Sequence, residues 1–187
     1  MAPKFDAVIR REVRNVRTGA AHVLQRADAI QPTGQNLADI VRICNEPLLY
    51  SSLFAEGLAG KPYPREKAVS FLTWAADGWR AGTHFAFLVT TAGGRVAAAI
   101  DIKGARLDGS EVGYWCSAEH SGLMTPTLAV LCDLARAAGF TDLYARTKIA
   151  NVRSQAVLLR NGFVLNPAAP EAGERHFVFR RSIGDRA

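Results

Sequence analysis

Three short runs joined by turn signals constrain this chain most. Residues 84–90 (HFAFLVT) and 95–103 (RVAAAIDIK) carry a two-residue period and flank Thr91-Ala92-Gly93-Gly94, a hairpin signal. A second turn at Leu107-Asp108-Gly109-Ser110 leads into Glu111–Ser117. Together they predict a three-strand antiparallel meander. Helical spacing surrounds it. From Thr33 to Leu53 the apolar positions Leu37, Ile40, Val41, Ile43 and Cys44 predict a helix broken near Pro47. Pro64 opens another, with Ala68, Phe71, Leu72 and Ala75 on one face, up to about Trp79. Thr125-Pro126 reads as a cap followed by proline at the first helical position, and that helix stops at Gly139-Phe140. Asp142–Thr147 and His176–Arg181 read as strands, and residues 5–16 and 20–30 as a hairpin around Arg17-Thr18-Gly19. The order is helices, three strands, helix, strand, helix, strand. It predicts an α/β (α+β) sheet of mixed direction.

One later helix has both ends written into the sequence. Asn151 suits the N-cap, because its side-chain oxygen can accept an orphan N–H of the first turn. Gly162 suits the left-handed residue past the helix end, and Phe163 can fold back onto Leu158. Val152, Ala156 and Leu159 recur at helical spacing and predict one buried stripe. Asn151 and Ser154 lie three apart and project from one side of the first turn. A bare structural helix needs one capping residue and does not need Ser154.

Length and composition narrow the class. With 187 residues, 49% hydrophobic and 21% charged, the chain fits one domain and not wholesale disorder. No apolar run approaches the roughly 18–20 residues of a membrane helix, and no signal-peptide stretch follows Lys4, Arg10 and Arg11. Cys44, Cys116 and Cys132 are widely spaced, with no C-x-x-C pair, so a reduced, cytoplasmic protein is expected. The four histidines, His22, His84, His120 and His176, have no metal-ligand spacing. Arg136, Arg146, Lys148, Arg153 and Arg160 stand against Asp142 alone, a basic region that could face nucleic acid, an acidic partner or a polyanionic cofactor. Neither aromatic interleaving nor a nucleic-acid motif accompanies it.

The run N-x-x-S-x-x-V-L-x-x-x-G-F over Asn151–Phe163 resembles the late helix of the GNAT N-acetyltransferases, most of all the branch of the ribosomal-protein N-terminal acetyltransferases (RimJ/RimL-like). A second stretch agrees. Glu111-Val112-Gly113-Tyr114-Trp115-Cys116, then Ser121-Gly122-Leu123-Met124-Thr125, resembles the family's E-[IV]-G-Y-W strand and its G-x-G-L-M-T loop. The likeness is good from Phe85 to Phe163, weaker from Val23 to Trp79 and absent before residue 20. It implies one GNAT-like domain over residues 1–187, with residues 1–20 a basic extension or hairpin. The implied sheet is mixed and mostly antiparallel, flanked by helices, with the family's fourth and fifth strands splayed.

The resemblance also implies an activity, acetyl transfer from acetyl-CoA to a primary amine by direct attack. The acceptor is a protein N-terminus, an amino acid or a small-molecule amine, and a homodimer is compatible with it; nucleic acid and membrane are not expected. By the resemblance, pyrophosphate would sit on backbone N–H groups of His120, Ser121, Gly122, Leu123 and Met124, ahead of Thr125. The pantetheine arm would pair with the backbone of Trp115, Cys116 and Ser117. Asn151 would help hold it, and Ser154 would lie near the sulfur as proton donor. Glu111 could deprotonate the amine directly or through water, with Glu171 and Glu174 as alternatives. No His/Asp partner is placed to make Cys116 a nucleophile. The chain departs from the family at Glu119-His120-Ser121-Gly122, where a loop two residues short replaces Gln or Arg followed by Gly-x-Gly. That departure supports a second expectation, a degenerate GNAT domain that binds a ligand or partner without catalysis.

Overall fold

In the computed structural model, which describes residues 2–167 and 176–184, eight strands form one sheet. They are β1 (Arg10–Arg14), β2 (Ala21–Arg26), β3 (Phe85–Thr91), β4 (Val96–Ile102), β5 (Asp108–Cys116), β6 (Asp142–Lys148), β7 (Val164–Leu165) and β8 (His176–Ser182). Five helices accompany them: α1 (Gly34–Cys44), α2 (Pro47–Leu53), α3 (Arg65–Ala81), α4 (Met124–Ala137) and α5 (Val152–Arg160). The spatial order is β1-β2-β3-β4-β5-β6-β8-β7, antiparallel throughout except for the β5–β6 pair, which is parallel. The mixed, mostly antiparallel sheet expected from the sequence is therefore present, extended at one edge by the N-terminal hairpin.

Helices cover both faces, which is why β3 and β4 read as nearly continuous apolar runs and are buried along almost their whole length. Leu37, Ile40, Leu72 and Ala75 of α1 and α3 pack with Leu88, Ala99 and Trp115 on one side. Leu128, Leu131 and Ala135 of α4 pack with Phe87, Ile100 and Val112 on the other. Each fully buried Leu, Ile or Phe side chain among these contributes about 1.5–3 kcal/mol over its exposed state. One buried ion pair fixes α1 to the sheet. Asp39 is 1% exposed and accepts from the Arg95 guanidinium and from the Val96 N–H at 3.0 Å.

Several local expectations change. Thr125 is not the cap of α4; the helix starts at Met124, with Leu123 in the cap position and no side-chain cap bond. Leu123 is fully buried and its carbonyl accepts from the Thr127 N–H and hydroxyl, so burial sets the helix start. The α5 caps form as the sequence suggests: Asn151 Oδ1 accepts from Ser154 N at 3.1 Å, Gly162 has φ 73°, and Phe163 N donates to Leu158 O. The buried stripe does not. Val152 and Leu159 are 67% and 57% exposed, and α5 rests on the fully buried Leu158 instead. The residues 107–110 turn is shorter than expected, because β5 already begins at Asp108 and pairs there with β6.

The feature that positions a site is the parting of β5 from β6. Their pairing ends at Glu111↔Tyr144, yet β5 follows β4 to Cys116 and β6 follows β8 to Lys148. The splay is real, and it opens mid-sheet.

Candidate active site

Period-two alternation decides which backbone groups of β5 face the opening. Lys103 N donates to Glu111 O at 2.8 Å, and Ser117 N donates to Ala97 O at 2.9 Å, so the odd-numbered residues of β5 turn their polar backbone toward β4. The Val112 carbonyl and the backbone groups of Tyr114 and Cys116 consequently face into the gap. This corrects the expected set. Cys116 belongs to it, whereas Trp115 pairs with Ala99 of β4, and Ser117 donates its N–H to Ala97 O while its carbonyl accepts from His120 N. Ser117 is committed twice, since its hydroxyl donates to Glu46 Oε1 at 2.7 Å while Ala118 N donates to Glu46 Oε2 at 2.6 Å. Nothing in the local sequence pointed to Glu46, which lies 71 residues from Ser117. The Trp115 ring sits under the helices, 6.0 Å from the Phe71 ring.

Below the gap lies the loop that joins β5 to α4. Ala118–His120 makes one 3-10 turn, and Gly122 adopts φ 99°, a conformation that glycine tolerates readily. Among the described residues the N–H groups of Gly122, Met124 and Thr125 have no protein acceptor. They stand at the start of α4, where the helix dipole favours negative charge. The N-terminal hairpin holds this loop. Asn15 is 2% exposed and donates to His120 O and Ser121 O, while Val16 N donates to Gly122 O at 3.2 Å. His22 Nε2 lies 3.1 Å from His120 Nδ1. Burial, then the His22 ring, hold His120 below the ordinary histidine range and favour its neutral form. Glu119 faces Arg42 at 3.7 Å, so its charge is partnered.

Above the gap, Asn151 spends its side-chain oxygen on capping α5, which aims the first turn at β5. The Tyr114 hydroxyl reaches that turn, 2.8 Å from Ser154 Oγ and 3.2 Å from Ser154 O. Burial pushes the Tyr114 phenol up to about 12, so it stays protonated.

Glu111 marks the point where the strands part. Its carboxylate lies 2.8 Å from Lys103 Nζ and 3.0 Å from Arg146 Nη2. Burial alone raises its pKa, but the two cations outweigh that and hold it below the ordinary carboxylate range. A carboxylate so held is a weak base and a strong anchor. Asp101, paired with Gly113 on the neighbouring strand, is the opposite case. Its Oδ1 is buried without a hydrogen-bond partner among the described residues, and burial pushes its carboxyl up to about 7, against the pull of Lys103. In the sequence it stands as one polar residue in an apolar strand. Glu171 and Glu174 lie outside the described residues. A cavity of about 580 Å³ opens beside the end of β6, lined by Ser52, Leu53, Glu56, Lys148 and His176 among others.

Residues 30–164 match the family model described as an acetyltransferase (GNAT) domain. No curated protein matches the sequence. Among solved structures, RimL, a ribosomal α-N-protein acetyltransferase in complex with coenzyme A, is 15% identical, with 92% of this chain and 98% of that one covered and a TM-score of 0.69. RimJ of Mycobacterium smegmatis in complex with CoA-disulfide is 18% identical over 97% and 90% of the two chains, TM-score 0.69. The microcin self-immunity acetyltransferase MccE, in complex with acetyl-CoA and AMP, is 14% identical over 86% and 92%, TM-score 0.67. At these identities the likeness is one of fold.

Proposed function

The chain belongs to the GNAT acetyltransferase family, and from that premise we propose that it transfers an acetyl group from acetyl-CoA to a primary amine by direct attack. The observation that carries the proposal is the mid-sheet gap, with the Val112 carbonyl and the polar backbone of Tyr114 and Cys116 on its wall. Those groups suit the amide-bearing arm of acetyl-CoA as an added strand. The unpaired N–H groups of Gly122, Met124 and Thr125 suit its phosphates. His120 and Ser121 contribute to that cradle through the loop's shape, with Leu123 buried beneath it. The solved relatives in complex with coenzyme A or acetyl-CoA support this reading of the donor.

In the reaction the acceptor nitrogen forms a bond to the acetyl carbon, and the carbon–sulfur bond breaks with its electron pair on sulfur. From the neutral amine one proton leaves the nitrogen and one reaches the sulfur, and an acceptor that arrives as ammonium first gives its extra proton to solvent, so the equation balances without a further reactant. Ser154 serves the sulfur, as a hydrogen-bond and proton donor. Glu111, held ionised by Lys103 and Arg146, anchors the acceptor's ammonium beside a water that carries its first proton to solvent, leaving the neutral amine that attacks. The acceptor is a protein N-terminus, an amino acid or a small amine, and the cavity beside Lys148 and His176 is the entrance we assign to it. The three cysteines are free thiols, in keeping with a cytoplasmic setting.

Calorimetric titration with acetyl-CoA, followed by thiol release across a panel of N-terminal peptides, amino acids and small amines, tests the proposal. Absence of binding at millimolar acetyl-CoA overturns it. One observation favours a second reading, a non-catalytic ligand-binding domain: Glu46 occupies the Ser117 hydroxyl and the Ala118 N–H beside the loop that joins β5 to α4. Binding without thiol release for any acceptor class is the result that selects it.

A further inference from the structure

We propose that Tyr114 is the positioning residue for the leaving sulfur, holding the Ser154 hydroxyl so that its proton is free for a thiolate in the gap. The inference rests on the acetyl-CoA reading above. It starts from an arrangement that α5 alone could not make. Tyr114 stands on β5 within the splayed stretch, and its phenol crosses to the first turn of α5.

A phenol has one proton and a serine hydroxyl has one, so the pair has two hydrogen-bonding states. In the first, the Tyr114 proton points to the Ser154 carbonyl at 3.2 Å, and the serine proton points to the tyrosine oxygen at 2.8 Å. In the second, the Tyr114 proton turns to Ser154 Oγ. The serine oxygen then accepts from tyrosine, and its own proton is released to another acceptor. A thiolate in the gap is such an acceptor, and a charged acceptor draws the second state out, because charge-assisted hydrogen bonds are roughly twice as strong as neutral ones. No covalent bond changes in the switch; only the two O–H directions do.

The surroundings keep the device in its donor form. Burial holds the phenol protonated up to about 12, with Ser154 the polar group acting on it. Cys116, two residues on and facing the same layer, is likewise kept as a thiol by burial, pushed up to about 12, and Glu46 adds to that. Both therefore stay protonated in the range where an ordinary cysteine thiol, at about 8.5, begins to ionise.

The test uses the whole chain and two probes, coenzyme A and S-methyl-coenzyme A, titrated by calorimetry at about pH 7, where a free thiol is protonated, and about pH 9.5, where a thiolate is accessible. Only coenzyme A can present a thiolate. For the natural sequence, the ratio of the two affinities should rise about tenfold in favour of coenzyme A at the higher pH. In Tyr114→Phe, which keeps the ring and removes the oxygen, the ratio should stay within about twofold across the same interval. Ser154→Ala should match it, and the double variant should lose no more than either alone. Ser154→Thr, which retains a hydroxyl, should restore the rise. A natural chain that binds coenzyme A with a flat ratio overturns the inference and leaves the acetyltransferase reading standing. So does a Tyr114→Phe chain that keeps the full rise. A natural chain that binds neither probe overturns both.

Discussion

Asn15 donates its side-chain N–H to the carbonyl of His120 at 3.3 Å, across 105 residues of sequence, and to Ser121 O at 3.2 Å. The same side chain accepts from the Arg17 and Thr18 N–H groups with Oδ1. One buried amide therefore shapes both the hairpin turn and the loop under the gap. Asn15→Ala should lower the unfolding free energy by about 1–3 kcal/mol, the cost of leaving buried partners unpaired. It should also weaken acetyl-CoA binding about tenfold, a loss of about 1.4 kcal/mol. Urea melts and calorimetry read the two effects. Unchanged binding in a folded Asn15→Ala chain would mean that the loop keeps its shape without the hairpin.

Gly122 sits against that amide. A Cβ there would lie 2.6 Å from Asn15 Oδ1 and 2.7 Å from Arg17 Cγ, on a backbone with φ 99°. Gly122→Ala should cost about 1–3 kcal/mol through strain alone, seen as a lower melting temperature, and should reproduce the binding defect of Asn15→Ala.

Ser154→Ala removes the hydroxyl but leaves the α5 cap intact, since Asn151 bonds the Ser154 backbone N–H and not its side chain. Turnover should fall about 10²-fold, the lower range for one positioned proton donor, while the acetyl-CoA KM stays within about twofold. Equal turnover would remove Ser154 from the chemistry.

Asp101 makes stability depend on pH in a particular direction. Its folded pKa is raised, by burial first, to about 7 from 3.8. The folded chain therefore binds this proton more tightly than the unfolded chain. The contribution is fully present below about pH 4 and is lost as pH rises through about 7. Asp101→Asn, which resembles the protonated acid, should change stability little at acid pH. Between about pH 4 and pH 7 its stabilising effect should grow by up to about 1.4 kcal/mol per pH unit, and above pH 7 it should level off. Melting curves across that range check the sign; destabilisation at alkaline pH would refute it.

Asp39 works the other way. Burial alone would raise its pKa, but hydrogen bonds from Arg95 and the Val96 N–H bring the net value below the usual 3.8. Its stabilisation is present above the ordinary carboxylate range and disappears as pH falls through the folded value. Asp39→Asn should destabilise by about 2–3 kcal/mol at neutral pH, at the low end for a broken buried pair because Arg95 is half in water. Loss of stability under about 0.5 kcal/mol would make the pair ornamental.

Local signals were legible in the sequence and nonlocal ones were not. The caps of α5 could be read because Asn151 and Gly162 act on their own backbone within one turn. The buried side of α5 could not, because it depends on how the helix lies over β5, and Leu158 took the place given to Val152 and Leu159. Alternation identified β3, β4 and β5, but it does not encode where a strand stops pairing. The splay came from family resemblance, and the side of β5 facing it needed the observed register. Trp115 and Ser117 were assigned to the gap for want of that register. Tyr114 reads as a core aromatic until its hydroxyl is seen against Ser154. Asn15, His22 and Glu46 reach the site from more than 70 residues away, and no spacing rule covers such distances.

The parting of β5 and β6 leaves two half-sheets joined by three residue pairs at Asp108–Glu111. An unpaired run of backbone in the middle of a sheet is an edge like any other, open to whatever extended chain arrives. A molecule that fills it knits the halves into one continuous array, so occupancy and thermal endurance become a single property. At a hundred times its dissociation constant, such a molecule adds about 2.7 kcal/mol to the folded state. Amide hydrogens of Tyr114 and Cys116 are where hydrogen exchange should slow first.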